Sequence, residues 1–382
     1  MLKVMIIGCG GIAPAHINGY LNAPDDAVIA FLADSNIARA GELIEKFGLT
    51  QARALDDYRQ GLAEADIVSI CTPPQTHLSV AVEALENGCH VLLEKPMAPS
   101  LQECDLIQDA AKKNDRVLTV VVQSRCISGF RNVIELVRSA NYGRNLYTRI
   151  HSVWYRGESY YDLSWRGRWT QEGGGCTQNH SIHHIDLMLW AKGMPTSVRS
   201  YMTNLAHHNS EEEDFSSSLM RYADGTVAEL TSSLVSHGEP QSFIFQMEKA
   251  GVRIPFAAYA SKVRENGFPE PDEEMAGRVT RDFESRPKLA LEHHSGQIRN
   301  FIDAVNGKVT LFATASDGRA CIELITGIYQ SAVTGEEVFF PIEKGSVFYT
   351  GEWRKTAPHF FEKSKDIDYF HDTAVTDFKN KF

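Results

Sequence analysis

The segment GGGCTQNHSIHHIDLMLW, residues 173–190, sets three histidines, an asparagine and an aspartate directly behind a triple glycine. Such residues serve a metal cage, a proton-transfer site, or an amphipathic helix that is merely rich in histidine. After Gly175 the spacing reads as helix. Asn179, His183 and Asp186 fall at i, i+4 and i+7 on one face, with Ile182, Ile185 and Leu189 on an adjacent apolar face. A polar stripe of amide, imidazole and carboxylate aimed at one point suits the transfer of a proton. His180 and His184 form an i, i+4 pair that could clasp zinc with Glu172 or Asp186. The H-E-x-x-H order that sets a glutamate between two ligands is missing, however, and no cysteine spacing supplements the pair. No metal is expected, and His180, His184, His207, His208, His293 and His294 are expected at solvent or at an interface.

A second constellation is G-C-G-G-I-A, residues 8–13. Gly8 permits a tight turn, Gly10 lets the backbone approach a pyrophosphate, and Ala13 keeps the following helix close to a sheet. The expected cofactor contacts are Gly8, Gly10, Gly11, Ile12, Ala13 and Asp34. Asp34 stands 21 residues beyond Ala13 at the end of the second apolar run, where its carboxylate suits a ribose 2′-hydroxyl and repels a 2′-phosphate. The cofactor expected is therefore NAD rather than NADP. Thr72, Pro73 and His77 in CTPPQTH, Glu94 and Lys95 in E-K-P, and Gln123 end later strands on the same rim. His77 reads as a helix-start or cofactor-contact residue, and the proline after Lys95 holds that lysine extended. At a strand end after two leucines its ammonium is partly desolvated and able to polarise a hydroxyl.

Short apolar runs must position these groups. KVMII, VIAFLAD, DIVSICT, HVLLEK and VLTVVVQ are near-continuous hydrophobic segments, as in strands buried on both faces of a parallel sheet. The helical stretches between them close at Gly48 and Gly88, and Ser100 with Glu103 forms a capping box. The alternation predicts an α/β, doubly wound parallel sheet of the Rossmann type over residues 1–123.

A chain of 382 residues exceeds one ordinary core, so two domains are expected. Seven scattered cysteines without a C-x-x-C pair argue for reduced core residues, and a net charge of −11 disfavours a nucleic-acid partner. With no membrane-length apolar run and no signal-like start, the expectation is a cytoplasmic protein without a membrane partner.

Together, GCGGIA, CTPPQTH, LENGCHVLLEKPMA, YYDLSWRGRWTQEGGG, the segment at 173–190, HHSGQIRNFIDAV and SDGRACIELITGIYQSAVTGEEVFFPI resemble the Gfo/Idh/MocA family of NAD(P)-dependent oxidoreductases over residues 1–342. The resemblance implies a second, α+β domain over 124–342, built on a large, mostly antiparallel open sheet. One face of that sheet often joins subunits, so a homodimer or homotetramer is expected. It also implies that Lys95 and His183 flank the reacting carbon and that Asn179 matches the branch with asparagine four residues before the histidine. Tyr161, Arg166 and Trp169 would border the substrate, although each tryptophan taken singly reads equally well as core. Residues 343–382 lie beyond the family core, and their aromatic content predicts a segment packed on its own or a neighbouring subunit. The activity implied is NAD-dependent oxidation of a secondary alcohol in a sugar, polyol or sugar derivative. Two alternatives remain open: a redox-assisted glycoside hydrolase or lyase that retains NAD, and a non-catalytic NAD-binding regulator.

Overall fold

The apolar runs of the first third form a six-stranded parallel sheet in a computed structural model that describes residues 1–368 and 370. Its strands are β1 (Leu2–Ile7), β2 (Ala27–Ala33), β3 (Arg53–Leu55), β4 (Ile67–Ile70), β5 (His90–Leu93) and β6 (Leu118–Val120), in the order β3-β2-β1-β4-β5-β6. β3 was not anticipated, because three residues are too few to show a period. Helices α1 (Ala13–Leu21), α2 (Ile37–Phe47), α3 (His77–Glu86) and α4 (Leu101–Lys113) connect the strands. Their ends are chemically marked: Asn36 caps α2 through Ala38 N–H, Gly48 closes it at φ 63°, and Ser100 Oγ accepts from Glu103 N–H at the start of α4.

By contact the chain divides into two units, residues 1–127 with 289–322, and residues 128–288 with the described residues from 323 onward. The first unit therefore includes α9 (His293–Val305), a segment that sequence alone assigned to the second domain. Ile298, Phe301 and Ile302 of α9 join Val4, Ile6, Ile17 and Tyr20 in one core. The contact is close enough that a Cβ on Gly19 would lie 2.3 Å from Ile298.

In the second unit, helices α5 (Ser128–Arg138), α6 (Cys176–Asn179) and α7 (Ile182–Lys192) accompany an eight-stranded sheet. Its strands are β7 (Asn145–Val153), β8 (Ser197–Thr203), β9 (Phe215–Arg221), β10 (Val227–Ser233), β11 (Ser242–Met247), β12 (Gly251–Ile254), β13 (Ala257–Tyr259) and β16 (Val338–Phe339). All neighbours are antiparallel except β7 and β10. β14 (Ser261–Val263) and β15 (Pro269–Pro271) form a separate ribbon, and α8 (Glu273–Glu284), α10 (Ala315–Thr334) and α11 (Val347–Thr350) complete the elements. Alternation divides the large sheet: Ile150, Met220, Leu230, Phe243 and Phe245 are fully buried, whereas Tyr201, Leu219 and Phe339 on the opposite face are more than half exposed. Among the described residues no helix is long and apolar enough to cross a membrane.

Past residue 342 the chain packs on its own unit. Trp353 stacks with Phe348 and meets Trp169 and Tyr329, Arg354 donates to the Gly173 carbonyl, and Ile367 pairs with Leu163. The part of the expected extension at 369 and 371–382 lies outside the described residues.

Candidate active site

In the first unit, strand order reverses between β1 and β4, the place where α/β sheets open a crevice. Gly8 sits there with φ 93°, and a Cβ on it would lie 2.8 Å from the Cys71 carbonyl. Only glycine permits both that conformation and that approach. Gly10 and Gly11 face open space, and α1 begins at Ala13 with no side-chain cap; Pro14 carries no N–H and the Ala13 and Ala15 N–H groups turn back to the Gly10 and Ile12 carbonyls, so the glycine turn itself is the part that stands open to a phosphate. The Asp34 carboxylate accepts from Cys9 N–H and Asn36 N–H at 2.8 Å each, which fixes it against the glycine turn. Three residues past β6, Gln123 Oε1 is buried without a hydrogen-bond partner among the described residues, an acceptor that a bound ligand would satisfy. A dinucleotide fits these residues: an open glycine turn, an uncapped helix start, a ribose-sized carboxylate and an unmet acceptor.

Thr72 and Pro73 follow β4 on this rim, but His77 does not point to a ligand. It is fully buried, with Nδ1 2.9 Å from the Pro96 carbonyl and Nε2 2.9 Å from the Thr72 carbonyl. Burial lowers its pKa, so the neutral ring donates to one of these carbonyls and braces the two loops. His77 opens α3, as the helix-start reading has it, and the cofactor contact is corrected to a structural role.

Glu94 is held by two imidazoles, with Oε1 2.9 Å from His16 Nε2 and 3.7 Å from His294 Nε2, while Oε2 accepts from Lys95 N–H. Burial pushes the Glu94 carboxyl up, but the hydrogen bonds from His16 and His294 outweigh it and hold the group well below the usual carboxylate range. The lysine backbone is thus tethered to an anchored carboxylate. Among the described residues this is the one grouping with metal-like convergence, and it does not involve His180 or His184.

In the second unit the triple glycine serves close passage of the chain. A Cβ on Gly174 would meet the Tyr329 hydroxyl at 2.3 Å, and one on Gly175 would meet the Glu213 carbonyl at 1.9 Å. Glu213 then accepts from Gly175, Thr177 and Tyr329, covering the start of α6. The single helix expected after Gly175 is broken: α6 ends at Asn179 and α7 begins at Ile182, with Ser181 Oγ bonded to Ser232. Asn179 and His183 therefore belong to different helices. Asp186 and His184 are buried, while His183 keeps partial exposure in the first turn of α7.

The expected surface placement of His184 and His207 is corrected. His184 is bonded to Ser152 at 2.7 Å, stacks on Trp154, and is pulled down to about 3 by burial. His207 pairs with Asp214 at 2.8 Å in the interior. Trp169 is corrected as well. Completely buried, with its indole N–H shared between the carbonyls of Glu211 and Pro358, it forms core with Tyr329 and Trp353 and leaves no face for a ligand. Tyr161 is 1% exposed, edge-on to Tyr160 and His207. Arg166 is better placed: its guanidinium lies 4.1 Å from the ring centres of both Tyr160 and Trp165 and forms an ion pair with Glu172 at 2.8 Å. Glu172 also accepts from Asn179 Nδ2 at 2.6 Å, so Arg166 and Asn179 share one anchor. Sequence reading missed Glu212 and Glu213 and knew Glu172 only as a possible metal ligand. The acidic run at 211–214 was the available signal, yet nothing in its spacing shows what it faces.

Comparison with known proteins follows the same division. Residues 2–122 match the model of an oxidoreductase family with an NAD-binding Rossmann fold, and residues 130–253 match the GFO/IDH/MocA C-terminal domain. D-glucoside 3-dehydrogenase of Escherichia coli (strain K12) is 26% identical over 88% of this chain and 97% of the relative. Levoglucosan dehydrogenase of Pseudarthrobacter phenanthrenivorans is 23% identical over 67% of this chain and 73% of the relative. Among solved structures, the WlbA dehydrogenase from Chromobacterium violaceum, in complex with NADH and UDP-GlcNAcA, superposes with a TM-score of 0.77 at 26% identity, covering 90% of this chain and 96% of the other.

Proposed function

The chain belongs to the GFO/IDH/MocA family of oxidoreductases, and on that premise we propose that it oxidises a secondary alcohol of a sugar, glycoside or sugar derivative with NAD. The observation that carries this reading is the glycine turn with Asp34 bonded across it, in a chain that also supplies Lys95 at a strand end and a partly exposed His183. When bound, the nicotinamide supplies the hydride acceptor. Gly8, Gly10, Gly11 and the start of α1 would hold the pyrophosphate, Asp34 the adenosine ribose, and Gln123 a polar edge of the cofactor. His183 accepts the proton of the substrate hydroxyl, Lys95 polarises that hydroxyl, and Asn179 orients it. Asp34 favours NAD over NADP because its carboxylate would stand against a 2′-phosphate.

Two of these relatives are named for a glucoside and for levoglucosan and the superposed structure holds UDP-GlcNAcA, so the substrate class proposed is a sugar, glycoside or nucleotide sugar. Tyr201, Leu219 and Phe339, exposed on one face of the large sheet, support a homo-oligomer through that face. Purified protein with NAD should form NADH with at least one member of a panel of alkyl glucosides, levoglucosan, inositols, aldoses and nucleotide sugars. Tight NAD binding with no NADH from any of them, together with glycoside cleavage, would instead establish the redox-assisted hydrolase.

A further inference from the structure

A cluster of buried carboxyls lies beside Arg166 and Asn179. Glu172 is 3% exposed and Glu212 is completely buried. Glu172 Oε1 accepts from Arg166 Nη1 at 2.8 Å and Asn179 Nδ2 at 2.6 Å, and Oε2 accepts from Gly167 N–H at 2.7 Å. Asn179 Nδ2 also donates to the Gly174 carbonyl at 2.8 Å. Two acceptors around one amide end require nitrogen there and fix which way Asn179 is turned. Its other polar atom is then necessarily an acceptor. One carboxylate thus sets the pose of both the arginine and the asparagine.

Resting on the reading that Asn179 and Arg166 serve the substrate, we propose that Glu172 is a positioning residue for the reaction, and that Glu212 is the neutral carboxylic acid that donates a hydrogen bond to it.

Both oxygens of Glu212 are buried and meet no donor among the described residues, while the group facing it is the Glu172 carboxylate. Two ionised carboxylates in that contact repel, whereas one proton turns the contact into a hydrogen bond. The proton is assigned to Glu212, because the Glu172 oxygens already accept from Arg166, Asn179 and Gly167 N–H, whereas neither Glu212 oxygen meets a donor among the described residues. Around Glu212 stand the carboxyls of Glu172, Glu213 and Glu211, the phenols of Tyr160, Tyr161 and Tyr329, and the cation of Arg166, which Glu172 already engages. Burial first, then the Glu172 and Glu213 charges, push the Glu212 carboxyl well above the ordinary carboxylic range.

The test uses the full chain with NAD and a neutral alkyl glucoside as probe, reading kcat, KM for each substrate, and glucoside affinity by calorimetry with NADH present. Glu172→Gln should raise the glucoside KM and Kd about tenfold or more and lower kcat, leaving NAD affinity unchanged. Combined with Asn179→Ala it should add little, since both changes act through one contact. Infrared spectra at neutral pH should show a protonated carboxylic C=O band that vanishes in Glu212→Gln. That variant keeps a donor and should retain far more activity than Glu212→Leu. If Glu172→Gln does not fold, Glu172→Asp, which keeps the charge but shortens the reach, should give the same KM shift.

The inference is overturned if Asn179→Ala is impaired while Glu172→Gln or Glu172→Asp matches wild type, if the two effects multiply in full, or if the infrared band survives in Glu212→Gln. Wild-type kinetics in both Asn179→Ala and Arg166→Ala would instead overturn the substrate reading beneath it.

Discussion

Asp34 shows how far one side chain determines a preference. Its two oxygens already accept from Cys9 and Asn36 N–H groups, so the carboxylate cannot swing away from an incoming 2′-substituent. Wild type should bind NAD at least ~10-fold more tightly than NADP, about 1.4 kcal/mol. Asp34→Ser should narrow that gap, as measured by fluorescence titration with NADH and NADPH, and equal affinities in wild type would remove the role assigned to Asp34. This residue was legible in the sequence because its place depends only on local order: a strand, a glycine turn, a helix, a second strand. The Glu172 and Glu212 pair was not legible. Its members stand forty positions apart in the chain, and the stretch between them folds into α6, α7 and β8, whose periods do not tell which distant residues meet. His77 and Trp169 misled for another reason, since motif position tells where a residue lies but not whether its polar atoms are already spent on carbonyls.

At the scale of elements, periodicity found α7 but not the break before it. Helical spacing continues through His180 and Ser181, and the interruption comes from tertiary contacts, with Ser181 held by Ser232 and Gly174 and Gly175 pressed against Tyr329 and Glu213. α7 also carries His184, whose titration should be visible in stability. Neutral in the fold and pulled down to about 3 by burial, it would protonate first in the unfolded chain, whose imidazole titrates near 6.5. Its contribution is fully present above pH ~6.5 and is lost as pH falls from there toward about 3. Urea unfolding of wild type and His184→Gln at about pH 7 and about pH 5 should therefore show the variant losing ~2 kcal/mol less on acidification. Parallel losses in the two proteins would mean that His184 is not held neutral.

At the scale of the whole molecule, each unit is completed by a distant stretch of chain: α9 supplies core to the first, and the residues after 342 supply core to the second. Trp353 is 4% exposed and fills the space beside Trp169 and Tyr329. Trp353→Ala should cost about 3–5 kcal/mol in denaturant unfolding, and a change below ~1 kcal/mol would show that this segment does not hold the second unit. The reaction proposed is a hydride leaving a sugar carbon while His183 accepts the hydroxyl proton. It is tested most directly with a glucoside deuterated at the carbon that reacts, incubated with NAD and analysed by mass spectrometry of the cofactor. Wild type should transfer the label to the nicotinamide, and His183→Ala should slow that transfer by ~10² to 10⁴-fold with NADH affinity unchanged. Label appearing in water, or transfer at the wild-type rate in His183→Ala, would contradict the account.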